Sequence, residues 1–279
     1  MPELPEMQAL AERLEVAIGG AELTGFTPLA FAALKTFAPD PADIVGRTCQ
    51  GVGRRAKYLV FDYGEGLRIL AHLSQGGRVD IESPPKATRP KQGVVRFTFG
   101  GDHPSLLIKE FGTERKAGWW VLAAGDDGPL TRLGPEPGMA AFDELITTSD
   151  DGRRVHTILR DQRTVSGIGR GYTDDALHRA RLSPFASLKS LGADDRARLL
   201  AAITEVLAEG LVHERARQGG LPNKVGDHWV VHKRPGQPCP VCATTLQRIS
   251  YESHEVTYCP TCQTGGKVLA DRRLSRLLK

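Results

Sequence analysis

Apolar residues recur at helical spacing near the start of the chain. Met7, Leu10, Leu14 and Ile18 fall three or four positions apart across residues 6–18, and Gly19-Gly20 ends the pattern. A first helix is predicted there. From residue 21 to about 125 the period changes to short β-like runs, YLVFDY at 58–63, RILAHL at 68–73, VVRFTF at 94–99 and GWWVLA at 118–123, with Gly, Asp and Pro between them. A β-sandwich or barrel behind the opening helix follows. After the turn-rich LGPEPG at 133–138 the helical spacing returns in Val155, Ile158, Leu159 and Gln162. It is interrupted by SGIGRG at 166–171, resumes in YTDDALHRA, and continues over about 194–216 through Leu199, Leu200, Ile203, Val206, Leu207 and Leu211. A Gly- and Pro-rich stretch at 219–238 then leads into a cysteine segment. The expectation is an α+β multidomain chain: a β-rich domain over 1–130, a helical domain over 131–232 and a cysteine module over 233–279.

Composition narrows the class. With 40% hydrophobic and 25% charged residues in 279, the chain is globular in make-up. No uncharged apolar run reaches about 18 residues. Glu3, Glu6, Glu12 and Glu15 stand where a signal peptide would be basic and then apolar. A soluble, cytoplasmic protein without a membrane partner is expected. The net charge of +4 is unevenly placed, because residues 215–279 hold 11 Lys/Arg against 4 Asp/Glu, a local +7, and the rest of the chain carries −3. A basic end on a near-neutral body suits a polyanion partner, since cations near phosphates release condensed counterions. Charge alone fits a solvated tail equally well.

Four of the five cysteines, Cys239, Cys242, Cys259 and Cys262, are spaced C-x2-C-x16-C-x2-C. Each C-P-x-C pair can turn two thiolates toward one ion, and the sixteen-residue connection allows a hairpin that returns the second pair to complete a tetrahedron. Two disulfides are the alternative, but thiols persist in a reducing compartment, so one structural zinc is expected. Such a ribbon does not by itself specify DNA. Cys49, alone in a β-rich stretch, reads as a small buried residue.

The N-terminus carries candidate chemistry. Removal of Met1 would leave Pro2 with a secondary amine, partly neutral at cytoplasmic pH and able to attack an electrophilic sugar carbon. Glu3 and Glu6 bracket it, where they could move protons or merely cap a helix.

Taken together, MPELPE, GRRAKYLV with Lys57, HLSQGGR at 72–78, KEFG at 109–112, LGPEPG, DQRTVSGIGRGYTDDALHRARLSP at 161–184 and the terminal cysteines resemble the formamidopyrimidine-DNA glycosylase and endonuclease VIII family. The likeness runs in order along nearly the whole chain and lies nearer the formamidopyrimidine branch. It implies an N-terminal β-sandwich with flanking helices, a helix-two-turn-helix domain and a C-terminal zinc finger, with DNA gripped in the cleft between. It implies a base-excision glycosylase with abasic-site lyase activity on damaged, oxidised bases, acting as a monomer in the bacterial cytoplasm and at the nucleoid when bound to DNA. By the same resemblance Pro2 attacks C1′ of the damaged nucleotide, Glu3 shuttles protons and Glu6 assists near the flipped base. Lys57 holds a phosphate, Arg170 and its glycine-rich turn contact phosphates, and Gln75, Lys109 and Phe111 fill the gap left by the flipped base.

The chain departs from the family pattern in places. Gln75 replaces a Met, Lys109-Glu110-Phe111 replaces Arg-Arg-Phe, Arg170 replaces an Asn, and residues 263–279 extend past the last cysteine. The loop at about 218–232 looks short. Glu110 would repel phosphate, so either it pairs with a neighbour such as Lys109 or Arg115 or the DNA path differs locally. His254 takes the place of a phosphate-clamping Arg, from which β-elimination is expected to dominate over complete β,δ-elimination. These departures keep a rival open, a non-catalytic damaged-DNA-binding protein on the same scaffold. A zinc-ribbon protein of another kind would explain the cysteines but neither MPELPE nor Lys57.

Overall fold

The computed structural model describes residues 1–221, 226–251 and 254–270, leaving out the side chains of Tyr251 and His254. The chain divides into two compact units, one formed by residues 1–132 with 211–225 and the other by 133–210 with 226–279.

In the first unit, α1 (Leu4–Ile18) starts with Pro5 in its first turn, where a missing N–H costs nothing. A reciprocal capping box between Glu3 and Glu6 closes that end. Its inward face is the predicted one, with Met7, Leu10, Leu14 and Ile18 all fully buried. Eight strands follow: β1 (Leu23–Pro28), β2 (Gly51–Arg55), β3 (Tyr58–Asp62), β4 (Arg68–His72), β5 (Gly77–Glu82), β6 (Gly93–Phe99), β7 (Ser105–Glu110) and β8 (Gly118–Leu122). They pair antiparallel in two four-stranded sheets, β1-β6-β7-β5 and β2-β3-β4-β8.

Alternation explains the faces. Leu59, Ala71 and Trp119 stand in register across β3, β4 and β8, as do Phe61, Ile69 and Val121 two residues away, and all six are buried. Val79, Val95, Phe97, Leu106 and Ile108 of the other sheet join the same core, where Phe97 meets Trp119 edge-on at 5.6 Å. The β-sandwich expectation holds. The four strands that the β-like runs leave unassigned are β1, β2, β5 and β7.

The second unit holds α2 (Ala140–Thr148), α3 (Val155–Arg160), α4 (Arg170–Arg179) and most of α5 (Ala193–Arg215). Their core comprises Phe142, Ile158, Leu159, Tyr172, Leu199 and Ile203 with their neighbours. Helix α2 lies outside the expected elements, since its apolar positions Phe142, Leu145 and Ile146 make only a single short stripe. The same unit ends in a hairpin, β9 (Gln247–Tyr251) against β10 (His254–Tyr258), and a short α6 (Pro260–Thr264). Among the described residues no helix is long and apolar enough to cross a membrane.

Candidate active site and zinc centre

The N-terminal corner of the first unit is built by α1. Pro2 is buried immediately before the cap residue Glu3, which is 5% exposed, and Glu6 is 1% exposed. The Glu3 amide donates to Glu6 Oε2 at 2.8 Å. Burial, then the negative charge of Glu3, push the Glu6 carboxyl up to about 8, against the opposing pull of that amide. Glu6 therefore holds a proton at neutral pH, a carboxyl that can donate as well as accept. An amine at residue 2 would lie at the positive end of the α1 dipole, which disfavours the ammonium form.

Lys57 follows a tight turn between β2 and β3, where Ala56 takes φ 50°, and is 3% exposed. His72, on β4 in register with Tyr58, stacks on that ring at 4.7 Å between centroids. Burial, and then the Lys57 cation, push the His72 imidazole down to about 4. The buried Lys57 and the half-buried His72 thus lie near one another, one cationic and one neutral. HLSQGGR contains His72 without marking it out; its strand register opposite the residue after Lys57 is what brings the two together.

Gln75 is exposed at the tip of the β4–β5 turn. Phe111, 49% exposed, follows β7. The two loops are tied, because the Phe111 amide donates to the Gly76 carbonyl at 3.0 Å. A Cβ on Gly76 would stand 2.2 Å from the Gly112 amide nitrogen, an approach only glycine permits. Lys109 is held by Asp80 at 2.5 Å and lies 5.5 Å from the centre of the Phe111 ring. The structure therefore brings Gln75, Lys109 and Phe111 into one cluster.

Glu110 requires a correction. Its carboxylate is buried and accepts the backbone amides of Lys116 at 3.0 Å and Ala117 at 2.8 Å. Strand alternation turns it opposite to Lys109, so it braces the β7–β8 loop from inside and pairs with neither Lys109 nor Arg115.

In the second unit, Arg170 is the first residue of α4, preceded by Gly169 as its cap. At least two amides of the glycine-rich turn are used inside the protein. The Gly167 amide donates to Gln162 Oε1 at 3.0 Å and the Ser166 amide to the Pro135 carbonyl at 3.0 Å. Gln162 also donates to the Ile168 carbonyl at 2.8 Å, so the side chain that shapes the turn comes from DQRTVSG itself. At Gly171 a Cβ would lie 2.5 Å from the Trp229 ring.

Two adjacent acids of α4 are wholly internal. Asp175 accepts the amides of Val230, Val231 and His232 at 2.8, 2.9 and 3.0 Å. Asp174 meets His156 at 3.3 Å, His232 at 2.7 Å and the Thr257 amide of β10 at 3.2 Å. Burial would raise Asp174, but the close approach of His156 and His232 outweighs it and holds the carboxyl below its usual range.

The four thiols converge. Cys239 and Cys262 sulfurs are 3.9 Å apart, Cys242 and Cys259 3.4 Å, and all four lie within 4.8 Å of one another. A tetrahedron with Zn–S near ~2.3 Å has edges of about 3.8 Å, so the donor set fits one zinc. Backbone amides support it, with Val241 N–H donating to Cys239 Sγ at 3.5 Å and Cys262 N–H to Cys259 Sγ at 3.4 Å. A hydrogen bond from Thr244 lowers the Cys242 thiol to about 6, while burial raises those of Cys259 and Cys262. His178 lies 3.2 Å from Cys239 Sγ and can steady that ligand. Cys49 is buried, its thiol pushed up to about 11 by burial. His254 lies in β10, but its side chain is outside the described residues.

Residues 1–120 match the family model described as Formamidopyrimidine-DNA glycosylase N-terminal domain, residues 133–218 the H2TH domain of the same glycosylase, and residues 236–265 the zinc finger found in FPG and IleRS. The formamidopyrimidine-DNA glycosylase of Thermus thermophilus is 34% identical over 280 residues, covering 95% of this chain and all of that protein. This chain belongs to the formamidopyrimidine-DNA glycosylase family. Its members are base-excision DNA repair enzymes, and the finger with its four clustered cysteines is a one-zinc structural module. The Chloroflexus aurantiacus glycosylase is 32% identical over 278 residues, 94% of this chain and 98% of that protein. Among solved structures, the MutM (Fpg) protein of Thermus thermophilus superposes with TM-score 0.78 at 30% identity, covering 96% of this chain and 100% of that one. Lactococcus lactis Fpg bound to DNA containing an abasic site shares the fold, with TM-score 0.82 at 23% identity over 94% of this chain and 99% of that one.

Proposed function

We propose that this protein is a bifunctional glycosylase and abasic-site lyase that excises oxidised bases from DNA, with Pro2 as nucleophile once Met1 is removed. The observation that carries the reading is the buried N-terminal corner, in which Pro2 adjoins a Glu3–Glu6 pair whose second member keeps a proton near pH 7. The Pro2 lone pair forms the bond to C1′ while the bond from C1′ to the base breaks. The electron pair leaves with the base, which takes a proton from a carboxyl of this corner. Glu3 then takes the proton from the Pro2 nitrogen, the freed lone pair forms the second C1′–N bond as the C1′–O4′ bond breaks, and O4′ receives that proton from Glu3, leaving an iminium at C1′. Loss of a C2′ proton expels the 3′ phosphate.

Lys57 and His72 supply a cation and a neutral donor for a phosphate beside the lesion. Gln75, Lys109 and Phe111 stand as the group that fills the helix when the base leaves the stack. Arg170 meets the backbone, and the protein works as a monomer in the cytoplasm. The rival reading of a non-catalytic sensor drew on Glu110 and His254, and the inward brace made by Glu110 removes its first support.

Borohydride reduction on duplex DNA with an abasic site tests the chemistry, because reducing an iminium leaves a covalent adduct. Protein with verified Met1 removal is expected to give that adduct. Pro2→Gly and Glu3→Gln are expected to lower it by about 10²-fold or more while DNA binding persists. No adduct from the processed wild type would return the sensor reading.

A further inference from the structure

The last turn of α4 reaches the zinc centre. His178 is 4% exposed and its Nε2 stands 3.2 Å from the sulfur of Cys239, a residue 2% exposed. A thiolate bound to zinc has no proton to give, so this contact is a hydrogen bond only if the ring carries a proton on Nε2 and donates it. The same sulfur takes the Val241 amide at 3.5 Å. Four thiolates around one zinc ion leave an excess of negative charge, and in a buried setting that charge needs donors aimed at the sulfurs. The ring is held from the α4 side. One turn earlier, Asp175 accepts the amides of Val230, Val231 and His232, and Asp174 accepts that of Thr257, so α4 is fixed against the chain shortly before each cysteine pair. Gln263 makes a matching link to the second pair, donating to the Leu182 carbonyl just past α4 at 2.8 Å and accepting the Cys259 amide at 2.8 Å. Each pair is tied to the C-terminal end of α4, the first through a sulfur and the second through a backbone amide.

We propose that His178 is a positioning residue for the zinc centre: it donates Nε2–H to the Cys239 thiolate, fixes the direction of that ligand, offsets part of its charge, and so fastens the helix that begins at Arg170 to the metal. The four cysteines complete the tetrahedron by themselves. What His178 adds is tighter retention of the metal and a fixed joint between finger and helix. The role stands apart from the chemistry at Pro2, and it can be measured without turnover. In the sequence, HRAR at a helix end reads as basic residues complementing the helix dipole, so nothing there points to a cysteine 61 residues on.

The full chain loaded in turn with zinc, cobalt and cadmium tests this. In the ¹¹³Cd-loaded wild type, NMR of the ring nitrogens is expected to show the His178 proton on Nε2, coupled to the metal through the sulfur. His178→Phe is expected to weaken zinc binding by about 10–100-fold in competition with a chelator. In the cobalt form it is expected to move the thiolate-to-metal charge-transfer band to longer wavelength, because a thiolate that loses a donor gives up its electrons more easily. His178→Gln, whose amide can reach the same sulfur, is expected to recover most of both. A wild-type ring protonated on Nδ1 alone would overturn the inference, and that measurement decides the matter if His178→Phe does not fold. A folded His178→Phe with unchanged metal affinity and an unmoved band would overturn it too. So would equal losses of affinity in the Phe and Gln variants with the band unmoved, since His178 would then only fill space.

Discussion

Glu6 in the first unit and Asp174 in the second are each 1% exposed, yet their carboxyls shift in opposite directions. Glu6 has acids for neighbours and is pushed up to about 8. Asp174 has His156, His232 and the Thr257 amide, and is held down. Burial is the same in the two cases, so the partners decide whether a buried acid stores a movable proton or serves as a fixed joint. The first arrangement suits catalysis at a chain end. The second ties α3, α4, the segment around His232 and the β9–β10 hairpin into one body.

The comparison breaks hardest at the zinc centre, where the second unit depends on charge fixed by a metal. Removing zinc with a chelator, or Cys259→Ser, is expected to forfeit on the order of 10 kcal/mol of folding free energy in the finger module. Metal analysis alongside circular dichroism checks it; a finger that stays folded without metal would contradict the structural role.

Next in size is the contrast between the two acids themselves. Asp174→Asn leaves two buried histidines without their carboxylate and is expected to cost about 3 kcal/mol or more in denaturant unfolding. Compared at pH 5, Glu6→Gln should change stability by about 1 kcal/mol at most, since a neutral group replaces a neutral group, while base excision falls. Equal losses from the two substitutions would erase the distinction.

The pH response sharpens it further. The folded-state value of Glu6 lies near 8, above its ordinary 4.5, so the native state binds more protons across that window. Its contribution to stability is complete below 4.5 and is lost as pH rises toward 8. His156, lowered from 6.5 chiefly by burial, acts the other way. Its contribution is complete above 6.5 and fades as pH falls, joined below 3.8 by that of Asp174. Unfolding free energy followed from pH 5 to 8 should therefore lose a declining limb, of at most about 1.4 kcal/mol per pH unit, in Glu6→Gln. An identical profile for wild type and variant would count against a neutral native Glu6.

The smallest effect concerns Glu110. Glu110→Gln weakens two amide contacts inside the β7–β8 loop and is expected to cost about 1–2 kcal/mol in stability. The salt dependence of DNA binding should stay as in the wild type, because the side chain does not face phosphate. A steeper salt slope in the variant would place Glu110 at the DNA after all.

Local patterns along the chain are enough for the main elements and for the metal ligands. Met7, Leu10, Leu14 and Ile18 mark α1 because a helix repeats every 3.6 residues, and C-x2-C pairs mark a zinc knuckle because two thiolates on one turn need that spacing. PELPE marks the candidate nucleophile because the chemistry resides in consecutive residues. What sequence could not supply were the groups joined only by folding. His72 is brought beside Tyr58, the neighbour of Lys57, through the register of β3 on β4. Glu110 turns inward because strand alternation aims it at the unpaired amides of Lys116 and Ala117 in the following loop. Asp174 gathers His156 and His232 from positions 18 residues before it and 58 after it. The end of α5 is held to α1 because Arg13 clasps the carbonyl of Glu214, 201 residues later. The protonation of a buried acid depends on which charges lie within a few ångströms in space, and that distance is set by tertiary packing, whatever the separation along the chain.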